Sequence, residues 1–82
     1  MHNVMITLGR WGGGFPNITI PDLNESTLRR VAVDHCRSLI NVGDVRSMAT
    51  QVLIWEDVNR VHNLIAIYDI SVGIENGRLV TL

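Results

Sequence analysis

Apolar and polar positions change rhythm several times along the chain. Val4, Ile6 and Leu8 alternate with Met5 and Thr7, a period of two carried by β-favouring residues, and this predicts a strand. Ile18 and Ile20 share one face of a second short run, Asn17 to Ile20. The Gly-rich stretch between the two runs makes them a hairpin with a long connection. Pro16 has no amide proton, which places it at a strand start or on an edge. From about Asn24 to Asn41 the period lengthens. Leu28, Val31, Ala32, Cys36, Leu39 and Ile40 fall on one helical stripe, with Arg29, Arg30, Asp34, Arg37 and Ser38 on the other side. Asp22, with Glu25 three residues on, offers a capping box; Asn24 is the competing cap, and Gly43 suits the helix exit.

Arg46 to Glu56 reads as the next strand. Its last apolar residues, Val52 to Trp55, leave no polar face, which predicts cover on both sides and Trp55 in the core. Val58, Val61, Ile65 and Tyr68 then recur at helical spacing behind Glu56 and Asp57, two acids suited to a helix start. This predicts a second helix over about 56–68, although Leu64 to Ile70 also alternates as a strand does. Asn76-Gly77, between two apolar alternating segments, predicts a tight hairpin over about 70–82, with Glu75 facing Arg78, Ile74 facing Leu79 and Gly73 facing Val80. Neither a linker nor a repeat interrupts the chain. The expected architecture is a small single α+β domain over residues 1–82, a mainly antiparallel sheet with helices on one face.

Composition adds a constraint on partners. A chain of 82 residues has a thin core, yet 46% of it is apolar. That surplus predicts self-association, most simply a two-fold homodimer, or a protein partner. Seven arginines are interleaved with eight carboxylates for a formal charge of −1, and no lysine is present. That balance disfavours a sequence-independent nucleic-acid binder. Cys36 is the single cysteine, so no internal disulfide forms and a reducing, cytoplasmic setting fits. No secretory signal is legible at the N-terminus, and no apolar run approaches a membrane span.

Candidate chemistry is sparse. The stretch "GRWGGGFPN", Gly9 to Asn17, lacks the Gly-Lys-Ser/Thr of a phosphate loop, and its glycines lead to a strand rather than a helix. Trp and Arg are the types most enriched at interface hot spots, so Trp11 is the first candidate contact residue, with Arg10 and Phe15 beside it. Arg30 and Arg37 on the polar helix face are candidates to meet an acidic partner surface, set against a plain solvated face closed by an Arg30–Asp34 pair. Bare amides at Gly12, Gly13 and Gly14 offer an alternative ligand site for an anion or a flat ring. Cys36 lies on the apolar stripe and reads as an inert buried thiol. The sequence has neither zinc-ligand spacing nor an arranged catalytic set, so metal, cofactor and enzyme activity are not expected. The leading expectation is a small non-enzymatic protein-binding module, an inhibitor or an accessory subunit acting on another macromolecule; stand-alone intracellular chains of this kind are often regulators or products of mobile elements or phage. The alternative is a small-ligand or nucleotide binder that uses loop 9–17.

Overall fold

A computed structural model describes residues 1–9, 17–41 (side chains to 38) and 51–82. The elements are β1 (His2–Leu8), β2 (Ile18–Ile20), α1 (Glu25–Asn41), β3 (Gln51–Val58), β4 (Val61–Asp69) and β5 (Arg78–Thr81). The strands form one antiparallel sheet in the order β2-β1-β3-β4-β5, and α1 packs on one of its faces. This is the expected small α+β domain. No helix among the described residues is long and apolar enough to cross a membrane.

The first half follows the apolar pattern. β1 and β2 pair as expected, His2 with Ile20 and Val4 with Ile18. At the far end of β1 the Gly9 N–H donates to the Gln51 carbonyl at 2.7 Å, and Gly9 takes a positive φ of 63° as the chain leaves the strand. Of the two candidate caps it is Asn24 that starts the helix. Its Oδ1 accepts the Thr27 N–H at 2.9 Å and the Ser26 hydroxyl at 3.1 Å, so a first-turn donor that the helix leaves unpaired is satisfied. Leu28, Val31, Ala32 and Cys36 are buried against the sheet, each at most 7% exposed. They meet Val4 and Ile6 of β1, Ile20 of β2, Val52 and Ile54 of β3, and Ala66 and Tyr68 of β4, which together form the core.

Residues 56–68 are not a helix. β3 runs on through Glu56 and Asp57 to Val58, reverses at Asn59 and Arg60, and returns as β4. Both turn residues take positive φ, 53° and 65°, the geometry that matches the twist of a two-residue hairpin. Glu56 and Asp57 are therefore strand residues rather than helix-start acids, and Glu56 Oε2 lies 2.7 Å from His2 Nδ1 at the end of β1. The β-branched content of this segment prevails once a partner strand is available to pair with it.

The C-terminal hairpin is also different from the expected one. β5 pairs with β4 and not with residues 70–75: Asp69 faces Arg78, Tyr68 faces Leu79 and Ile67 faces Val80. The residues between form turns whose carbonyls find partners on other elements. Tyr68 donates its hydroxyl to the Ile74 carbonyl. Arg29 of α1 donates to the Glu75 carbonyl at 2.7 Å and the Gly77 carbonyl at 3.0 Å, with its guanidinium 5.6 Å from the Tyr68 ring centroid. Asp69 Oδ1 accepts the Ser71 N–H at 2.8 Å. That hydrogen bond, helped by the Ser71 hydroxyl and the Arg78 charge, holds the Asp69 carboxyl below its ordinary pKa.

Candidate functional site

A strand shows alternate side chains to its two faces, and α1 covers only one of them. Strand register lays out what the other carries. One row crosses four strands as Thr7, Leu53, Ile67 and Val80. A second crosses three as Met5, Trp55 and Leu64. A register shift between Ile54 and Trp55 keeps the second row in phase: Ile54 faces Ala66 while Trp55 faces Leu64, so Ile65 is the extra residue of a bulge and packs toward the core. The two rows are apolar except for Thr7, and Thr7 is satisfied. Its hydroxyl donates to the Gly9 carbonyl at 3.2 Å and accepts the Trp55 indole N–H at 3.0 Å.

Polar rows flank this apolar centre. Gln51, Asp69 and Arg78 lie beyond one side, and Asp57 with His62 beyond the other. Asn3 and Thr19, joined through their side chains at 3.2 Å, close the β2 side. Within the rows Leu53 is buried, Met5, Trp55, Leu64 and Ile67 are half-buried, and Val80 is 42% exposed. Among the described residues no element packs over this face. One buried oxygen on its rim, Asp57 Oδ1, has no hydrogen-bond partner among the described residues.

Trp55, expected in the core, is thus a half-buried residue at the centre of a sheet face. The continuous apolar run Val52 to Trp55 did signal a strand apolar on both sides, but only pairing with β1 and β4 shows which side α1 takes. Arg30 and Arg37 are both exposed on α1. The Arg30–Asp34 pair is not closed; Arg37 instead forms an ion pair with Glu75 and, with Arg29, ties the 70–77 turns to the helix. Arg10, Trp11, Phe15 and the three glycines Gly12, Gly13 and Gly14 lie outside the described residues.

A shallow groove of about 460 Å³ opens between the first turn of α1 and β5, lined by Glu25, Ser26, Arg29, Gly77, Arg78 and Leu79. Both terminal nitrogens of Arg29 donate to main-chain carbonyls and so serve the fold. Among the described residues no three His, Cys, Asp or Glu side chains gather as metal ligands would. His35 donates through Nδ1 to the Val31 carbonyl one turn back at 2.9 Å.

Cys36 is 2% exposed, and burial pushes its thiol up from 9.0 to about 11. Folding therefore favours the neutral thiol. Its contribution is complete below the unfolded pKa and is lost as pH rises through the folded one. Cys36→Ala should cost about 1 kcal/mol at neutral pH through lost packing. That difference from the native chain should shrink as pH rises from 9.0 toward about 11. Denaturant titrations of the two proteins across this range check it; rapid thiol labelling of the native protein would contradict the placement.

Comparison with protein-family models, with curated proteins and with solved structures finds no significant match for this chain.

Proposed function

We propose that the protein is a small non-enzymatic binding module, an inhibitor or accessory subunit of the cytoplasm, that docks the sheet face turned away from α1 on another protein. The observation that carries this reading is the pair of apolar rows around Trp55, bounded on opposite sides by polar rows. An apolar centre with an aromatic anchor and a polar rim is the anatomy of a specific protein interface. Cys36 is the single cysteine, so no internal disulfide forms, which supports a reducing compartment. Arg10, Trp11 and Phe15 are proposed on residue type as further contacts.

A photo-reactive side chain at Leu64, on the open face, and one at Asp34, on the exposed side of α1, test this in the native host. Irradiation is expected to join Leu64 to one discrete foreign protein and to leave Asp34 unattached. Equal labelling from both positions, or a foreign adduct from Asp34 alone, would overturn the proposal.

A further inference from the structure

The two edges of the sheet are unlike. β2 is three residues long and stops at Pro21, so little of it is open to a further strand. β5 has no proline, and its pairing with β4 runs without a register shift. The Leu82 N–H donates to the Ile65 carbonyl at 2.9 Å. In an antiparallel ladder successive residues direct their main-chain groups to opposite sides. Arg78, Val80 and Leu82 therefore point theirs at β4, while Leu79 and Thr81 point theirs outward. Among the described residues no main-chain partner meets them there. The side chains beside them include two of the exposed large apolar residues, Val80 at 42% and Leu82 at 71%.

We infer that a second copy of the chain adds its β5 to this edge in a two-fold antiparallel pair centred on Val80. An axis there sets Leu79 of each copy opposite Thr81 of the other, so all the outward N–H and C=O groups of both residues close, making four main-chain hydrogen bonds. An axis at Thr81 would leave Leu79 facing beyond the strand. An axis at Leu79 would set Thr81 against Gly77, which lies outside β5 against Tyr68. With the axis at Val80, the two Val80 side chains meet as a non-hydrogen-bonded pair, the closer kind. Arg78 faces Leu82 of the second copy, so the two Arg78 charges stay apart. The two-fold stands perpendicular to the sheet, so both open faces lie on one side, and the row Thr7, Leu53, Ile67, Val80 continues into its copy. This pairing rests on the outward main-chain groups of β5 and is read on the isolated protein, so it stands or falls separately from the foreign partner proposed above.

Sedimentation equilibrium on the native chain at about 100 micromolar should give a species of twice the 9.2 kDa chain mass. Thr81→Pro removes an outward N–H without touching the β4 ladder. It should raise the dimer dissociation constant about tenfold or more, two of the four hydrogen bonds being lost. Val80→Asp, which sets two carboxylates face to face, should disperse the dimer while leaving the melting of the monomer nearly unchanged, and it decides the matter if the proline variant does not fold. Mild oxidation should join Val80→Cys into a covalent dimer much faster than Val61→Cys, whose thiol sits at the exposed β3–β4 tip. A monomer throughout this range, a dimer that neither variant at the edge weakens, or equal cross-linking from positions 61 and 80 would overturn the inference.

Discussion

Alanine at position 77 is expected to cost the fold about 3 kcal/mol, the upper range for an overpacked site. Gly77 is buried, and a Cβ built on it would lie 2.7 Å from the Asp69 carbonyl oxygen and up against the Tyr68 ring. Neither neighbour gives way easily. The Asp69 carbonyl belongs to β4, and Tyr68 is fully buried, held by its hydroxyl on Ile74 and by the Arg29 guanidinium beside its ring. The same contact ties the 70–77 turns to α1, because the Gly77 carbonyl accepts from Arg29. A methyl group therefore disturbs the largest core side chain and the latch over it at once. Chemical denaturation of Gly77→Ala checks this; a loss below about 0.5 kcal/mol, typical of an indifferent surface site, would contradict the packing described.

The role of Gly77 also explains why the C-terminal hairpin was not legible. Asn-Gly is a turn signal because both residues tolerate positive φ. Here neither Asn76 nor Gly77 takes one, and the glycine serves a close approach to Tyr68 instead. Sequence shows that a glycine is present but not which of its two properties is used. The positive-φ hairpin turn falls to Asn59 and Arg60, where arginine gives no such signal.

The false helix over 56–68 has a similarly definite cause. Val58 and Val61 are three residues apart because they face each other across a two-residue turn. Ile65 and Tyr68 are three apart because the bulge at Ile65 resets the alternation, and both reach the core. Two unrelated sheet features thus reproduce a helical spacing. By contrast α1 and the β1–β2 pairing were readable, since each keeps one period along a single covered face. Of the site, the sequence exposed the apolar character of Val52 to Trp55 but not its sidedness. That depends on strand order, which joins β1 to β3 across most of the chain.

Glutamate at Ile67 should separate recognition from stability more sharply than any other single change. Ile67 lies in the middle of the longer apolar row, between Leu53 and Val80, half-buried and on the side away from α1. Its carboxylate can reach water when the face is free and is stranded when the face is covered. An interface centre that acquires an unpaired charge loses several kcal/mol of binding, about a hundredfold or more in affinity. The free protein should lose only about 1 kcal/mol, because the residue is not enclosed. The most direct measurement is capture, by Ile67→Glu and by the native chain, of the protein that cross-links from Leu64, with the melting of both followed alongside. The account predicts a folded variant that no longer captures it. Capture at the native level, or loss of capture only through unfolding, would contradict a docking role for the open face.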